Sequence, residues 1–422
     1  MKRSPFLRSL RHPNYRLFFI GQAISLIGTW MTQVATAWLV YRLTGSALLL
    51  GVVGFSSQIA AVLVAPLAGV LSDRGRHRRI LVVTQILSAL QSLALAVLAL
   101  SGTVRVGQII ALSVVQGIIN SFDIPTRQAF LVEMVGDRAD LGNAIALNSS
   151  VFNGARLLGP CLAGFVIAAG GEGICFLIDS VSYLAVIATL LMMRLRPHSH
   201  HPPGRRLFRE MGEGFAYAMG FLPIRALLLL VAFSSLVAMP YGVLLPAVAK
   251  ETLHGGPSTF GFLTGMSGLG ALIGSLYLAS RQSVRGLIRL TAMASGVFGV
   301  ALMLFAAARV LWAALLILFV IGFSMLVQMA ASNTVLQTLV EDDKRGRVMS
   351  LYLMAFMGLV PWGSLLAGFL ATRIGLGRTL FLEGAACLAG ALVFARQLPR
   401  LRSLVRPIYV RMGIILPEVT HP

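Results

Sequence analysis

Charge is what this sequence lacks. Asp, Glu, Lys and Arg make up only 12% of the 422 residues, and acids are scarcest, with 15 against 35 Lys and Arg. Beside 57% hydrophobic residues and a mean hydropathy of +0.83, so little charge excludes an ordinary water-solvated domain. Cysteine is nearly absent too. Cys161, Cys175 and Cys387 are odd in number and lie inside apolar runs, which excludes a disulfide framework. A phosphate-cradling loop of the Walker type is missing, so nucleotide hydrolysis by that route is excluded. No nucleophile–base pair or metal-ligand set stands within reach in sequence, so neither an enzyme nor a metal or cofactor is expected. His198, His200 and His201 lack a fourth ligand or a rigid scaffold and read as a solvated spacer.

What is present is apolar length. The runs 17–41, 43–72, 80–104, 106–122, 226–249, 252–280, 290–308, 310–340 and 348–372 contain no charge. A helix needs about 20 such residues to cross a bilayer core. Three more runs, 141–169, 174–193 and 379–395, are each broken by one charge, at Arg156, Asp179 and Glu383 respectively. The expectation is an all-α membrane protein with twelve transmembrane helices. The first run is too long for a cleaved signal and reads as a retained first helix.

Lys and Arg concentrate in 1–16, 74–79, 194–225, 281–289, 344–347 and 396–411, all on one side of the alternating spans. Arg42, Arg105, Lys250, Arg309, Arg373 and Arg378 are the few on the other. The positive-inside rule then places both termini in the cytoplasm, with a multi-pass chain in the cell (inner) membrane. The basic surface calls for anionic lipid headgroups and argues against nucleic acid as partner. The longest polar interruption sets the organisation: an N-terminal six-helix half, 1–193, a cytoplasmic linker, 194–222, a C-terminal six-helix half, 223–397, and a cytoplasmic tail, 398–422. Residues 207–217 of the linker are expected to lie as an amphipathic helix on the inner leaflet, and the basic tail to be surface-associated or mobile.

The halves repeat in parallel. A shift of 204 positions places Gly159 on Gly363, Ala163-Gly164 on Ala367-Gly368, Gly142 on Gly346 and Asp179 on Glu383. Two such halves related by an axis along the membrane normal form the major facilitator architecture.

Motifs carry the same resemblance. GVLSDRGRHRRIL, 69–81, resembles the signature loop of the major facilitator superfamily through Gly69, Leu71, Asp73, Arg74, Arg78 and Arg79. Arg76 stands where the family usually has Gly, and His77 where it usually has Arg. The resemblance implies a cytoplasmic gate. Gly69 would allow close helix approach, Asp73 would face a helix N-terminus, and the arginines would pair with Glu133 or Asp137. ARLLGPCLAG, 155–164, resembles the Gly-Pro motif of proton-driven exporters through Gly159, Pro160 and Gly164, with Ala163 replacing one Gly. The stretches 38–51, 120–160 and 333–368 are similar to the branch containing the enterobactin (siderophore) exporter, and that similarity spans about residues 10 to 400. Exporters of the superfamily often carry Arg three residues before a Gln-Gly pair in helix four. Gln116-Gly117 is here, but Ser113 holds the Arg position, so proton coupling rests on the branch and not on that residue.

An ionisable group at the middle of a membrane helix costs about 3 kcal/mol, so it lines a cavity or finds a partner. Gln116, Asn120, Asp123 and Arg127 share one helical face, with Asp123 and Arg127 spaced to pair and Pro125 between them. Asn153 and Arg156 follow in the fifth span, with Asp179 as the expected partner of Arg156. Ser25, Thr29, Gln33 and Thr36 line one face of the first span. The second half offers Gln328, Asn333, Gln337 and Glu383. The candidate substrate and coupling residues are therefore Gln33, Gln116, Asn120, Asp123, Arg127, Asn153, Arg156, Asp179 and Glu383. Structural salt bridges among the same charges stay open as a reading. Trp30, Trp38, Phe55, Tyr241 and Trp362 offer aromatic surface.

The expected function is secondary active transport by alternating access: proton-coupled export, by a monomer, of a small amphipathic siderophore or drug-like molecule. A lipid or lysolipid flippase on the same fold is the alternative. A transport-dead membrane sensor is opposed by the lack of an appended cytoplasmic domain.

Overall fold

The computed structural model describes residues 5–72, 77–135, 138–193, 215–281 and 283–415, and among these there is no β-strand. Among the described residues, twelve helical spans are long and apolar enough to cross a membrane. Asp73, Arg74, Arg76, Asp137, the three linker histidines and 207–214 lie outside the described residues.

A 3₁₀ turn, Pro5–Arg11, leads into α1, Pro13–Thr44, which opens with Pro in its first turn, where a missing N–H costs nothing. It stops at Gly45, whose φ of +60° admits the left-handed cap and aims its N–H at Tyr41 O at 2.8 Å. Then follow α2, Ala47–Ser72, α3, His77–Leu100, α4, Val106–Met134, α5, Arg138–Gly170, and α6, Glu172–Met192. The seventh span is built of α7, Leu222–Val237, and α8, Tyr241–Ala247, continued by a π-helical turn, Val248–Thr252. Pro240, which cannot donate to the helix ladder, sits at the break. Next come α9, Pro257–Ala279, α10, Leu287–Ala307, and α11, Leu311–Leu339. The eleventh span is likewise split into α12, Arg345–Met357, and α13, Val360–Ile374, with Pro361 at the restart. Helices α14, Leu376–Arg396, and α15, Leu398–Arg411, complete the chain.

Contact density divides the chain into two compact units, one of 1–203 with 243–268, the other of 204–242 with 269–422. In the first, α1 packs on α5 and α6, α2 on α4, and α3 on α4 and α6. In the second, α10 packs on α11 and α14, while α7 packs on α12, α13 and α14. Both reverse the pattern of a water-soluble protein. Leu63, Leu184 and Leu316 are exposed, while Ser25, Thr84, Gln85, Ser92 and Gln328 are buried. That is the arrangement lipid selects, since apolar side chains gain nothing by avoiding acyl chains and polar ones must find partners inside.

The tail departs from expectation. Residues 398–411 form an ordered amphipathic helix whose Leu401, Val405 and Tyr409, four apart, are buried in the second unit's core with Ile224 and Leu227. Arg400, Arg402 and Arg411 remain exposed on its other face.

Candidate substrate and coupling site

The first unit holds a carboxylate network in its interior. Asp123 of α4 is buried, and its Oδ1 accepts from Thr84 Oγ1 at 2.9 Å and Gln85 Nε2 at 2.7 Å, both on α3. Its Oδ2 takes Arg127, one turn along α4, as the expected ion pair. Next on the same face, Gln116 Nε2 donates to Asn120 Oδ1 at 3.0 Å and to Ser88 Oγ at 3.3 Å. The face predicted from spacing thus carries two polar clusters, Asp123 and Arg127 with Thr84 and Gln85, and Gln116 and Asn120 with Ser88. Their α3 members were not anticipated. Thr84, Gln85, Ser88, Gln91 and Ser92 are all buried, and their recurrence along one apolar helix is a signal the sequence does carry.

Asp179 corrects an expectation. It faces Ser92 instead of Arg156: Ser92 Oγ donates to its Oδ2 at 3.1 Å and to Phe176 O at 2.9 Å. The second oxygen, Oδ1, is buried and has Thr32 Oγ1 of α1 as its neighbour. Space for this carboxylate comes from Gly28 of α1, where an added Cβ would stand 2.8 Å from Asp179 Oδ1. Thr29, one residue on, meets Tyr183 OH at 3.3 Å. Arg156 lies elsewhere, its guanidinium 5.9 Å from the Trp30 ring centre, and Phe152 meets Trp30 edge-on at 5.8 Å. Gln33 is exposed one turn beyond Trp30, and Asn153 is turned back on its own helix through Ser149 O at 2.9 Å.

The helix-five motif works through backbone proximity. A Cβ on Gly159 would meet Trp30 Cβ at 2.5 Å and Ile27 O at 3.0 Å, so only Gly lets α5 lie this close to α1. One residue later Pro160 leaves Arg156 O without its usual helical donor. Gly268 of α9 packs against that carbonyl, with a Cβ placed 2.9 Å away. A Cβ on Gly164 would in turn stand 2.8 Å from Ser258 Cα and 2.9 Å from Pro257 O. Gly261, Gly265 and Gly268, all facing α5, form a small-residue stripe that the sequence reading passed over and that its spacing would have shown.

At the predicted gate, Glu133 pairs with His77 Nδ1 at 2.7 Å. The buried imidazole thus fills the place where the family carries Arg. Arg78 Nη2 donates to Leu191 O at 2.8 Å and satisfies the end of α6, where cations are favoured. Arg79 is exposed. Among the described residues a Cβ on Gly69 would meet nothing within 4 Å. Two unpredicted attachments complete the unit. Arg42 makes a two-pronged bond to Glu172, at 2.7 and 3.1 Å, and Tyr41 bonds Glu251. The 3₁₀ turn is pinned to the start of α5 by Arg8 and His12 on Asp140 and by Ser9 on Asn143.

The second unit is plainer. Gln328 Nε2 donates to Ser234 Oγ at 2.7 Å, and Gln337 to Asn333 within α11 at 2.6 Å. Glu383 is buried with its Oε2 unbonded. Among the described residues no His, Cys, Asp and Glu cluster is arranged to hold a metal.

Twelve membrane helices with a polar interior of this kind define a class. The chain superposes on a variant of the nucleoside transporter NupG with a TM-score of 0.73, covering 91% of this chain and 99% of that one at 12% identity. That likeness shows the major facilitator fold. The chain itself belongs to the transmembrane secretion effector family, which it matches over residues 4–406. It is a multi-pass membrane transporter and not an enzyme. The staphyloferrin A transporter of Staphylococcus aureus is 25% identical over 384 residues, 90% of this chain and 95% of that one. The multidrug efflux pump Tap of Mycolicibacterium fortuitum is 30% identical over 390 residues, 89% of this chain and 93% of that one.

Proposed function

We propose that this transporter exports a small amphipathic molecule, a siderophore or drug-like compound, from the cytoplasm in exchange for protons. It lies in the cell membrane with both termini inside, acts as a monomer, and works by alternating access. The observation that carries the reading is Asp123, buried within a membrane helix and held at once by Thr84, Gln85 and Arg127. Burying a charge pair there is costly and needs a return in function. A proton arriving on Asp123 would release Arg127 to face an anionic or chelating solute. Arg156 over Trp30, with Phe152 at its edge, adds a cationic and aromatic surface suited to the same solutes. Two relatives whose names read staphyloferrin A transporter and multidrug efflux pump support this substrate range.

The test is uptake of a drug panel and of ferric and free siderophores into everted membrane vesicles under an imposed pH gradient, acidic inside. The reading expects uptake that a protonophore abolishes, and an Asp123→Asn variant that is inserted but inactive. Uptake indifferent to the gradient overturns the coupling. Full uptake by Asp123→Asn removes that residue from it.

A further inference from the structure

In the second unit, α10 and α14 cross at two glycines. A Cβ on Gly299 would stand 2.7 Å from Gly384 O and Leu388 N, and one on Gly384 would stand 2.6 Å from Gly299 O. Backbones held this close at one level diverge on either side of it. Toward the end of α10 the divergence leaves a cavity of about 1010 Å³, floored near the crossing by Val300 and Leu388 and walled by Met303, Leu304, Phe381 and Leu382. It touches none of the candidate transport residues. Leu304, Phe381 and Leu382 are about half exposed, as suits a face washed by acyl chains.

The far end of this apolar wedge carries Arg309 and Arg378, both lining it and both exposed. Among the described residues neither has an ion pair. Trp312, 75% exposed, stands three residues past Arg309, the kind of anchor found at the headgroup level. Arg309 and Arg378 also belong to the few cations on the side where positive charge is otherwise avoided.

We propose that this wedge is a binding site for an anionic phospholipid: one acyl chain lies between α10 and α14, and the phosphate is held by Arg309 and Arg378. Charge complementarity selects the headgroup, and wedge length with an apolar lining selects a chain over a free ion. Arginine suits the role because its planar fork meets two phosphate oxygens at once. The site is structural or regulatory, separate from the transported solute.

The test is native mass spectrometry of the full-length protein in detergent, titrated with phosphatidylglycerol, phosphatidylcholine or inorganic phosphate. Each basic side chain near a surface is worth about fivefold in affinity for anionic lipid, so wild type should retain phosphatidylglycerol over phosphatidylcholine by about tenfold or more. Arg309→Ala with Arg378→Ala should erase that preference, and Ala307→Trp should lose the lipid with both arginines in place. Arg400→Ala with Arg402→Ala on α15 should leave it unchanged. Equal retention of both lipids by wild type, undiminished preference in the arginine double variant, or displacement of the lipid by inorganic phosphate alone would each overturn the proposal. Unaltered binding by Ala307→Trp would do the same, by showing a headgroup contact without a chain site.

Discussion

The two units use one helix-packing device and part company over charge. Gly159 on α5 and Gly363, its counterpart under the shift of 204, each allow a backbone to touch: Gly159 against Ile27 and Trp30 of α1, Gly363 against Leu236 and Pro240, at the end of α7 and just beyond it. The aligned acids differ. Asp179 has Ser92 as donor to one oxygen and Gly28 to make room, whereas Glu383 takes no hydrogen bond among the described residues. Helix α4 carries Asp123 and Arg127, and α11 carries no charge at all. A duplicated scaffold holds its close backbone approaches because any side chain there collides. Its polar interior is free to diverge, and it has done so on one side.

The largest expected effect tests that divergence. Asp123→Asn should lower transport by about tenfold or more at matched expression, since it removes one partner of a buried charge pair and leaves Arg127 uncompensated. Glu383→Gln, which removes no bonded partner, should change transport by less than about twofold. Initial rates of efflux in the same vesicles compare the two. Equal losses would mean that the contrast in bonding does not mark where coupling lies.

The shared device predicts the opposite, equality. Gly159→Ala places a Cβ 2.5 Å from Trp30 Cβ and 3.0 Å from Ile27 O, and Gly363→Ala places one 2.5 Å from Pro240 Cγ and 2.2 Å from Leu236 O. Overpacking of this kind costs about 1–3 kcal/mol, and both variants should lower the unfolding temperature in detergent to a similar extent. A variant pair differing several-fold in its loss would break the structural equivalence of the halves. A smaller effect is expected at Asp179. Ser92→Ala removes one donor from this buried carboxylate, and should cost about 1 kcal/mol of stability by the same measurement.

Most of the fold was legible because lipid imposes long uninterrupted apolar runs, and charge inside them stands out. The spacing of Gln116, Asn120, Asp123 and Arg127 was enough to place them on one face, where Gln116 bonds Asn120 and Arg127 bonds Asp123, since helical geometry fixes which residues share a face. Partners across helices were another matter. Arg156 and Asp179 looked complementary, yet stacking over Trp30 claims one and Ser92 the other, and nothing in a single chain fixes which helix faces which. The sequence shows His77 where the family carries Arg, while its pairing with Glu133 shows only in the distance. The breaks in the seventh and eleventh spans were marked by Pro240 and Pro361. Pro125 and Pro160 lie inside helices that continue, so proline alone did not decide.

The two ends of the chain give the last comparison. The N-terminal turn is attached by polar bonds, Arg8 and His12 to Asp140 and Ser9 to Asn143 at 3.0 Å. The C-terminal helix is attached by burial of Leu401, Val405 and Tyr409. Ionic contacts of partly exposed groups weaken as salt shortens the screening length, from about 10 Å at 0.1 M to about 3 Å at 1 M, whereas apolar burial does not. Limited trypsin digestion of the purified protein should therefore cut after Arg8 and Arg11 severalfold faster in high salt. Cleavage after Arg402 should stay constant or slow. Asn143→Ala should speed the N-terminal cuts at every salt concentration, because the bond it removes is neutral and unscreened. If salt released both ends alike, α15 would be held by its arginines and not by its buried face, and the amphipathic reading of the tail would have to be exchanged for an electrostatic one.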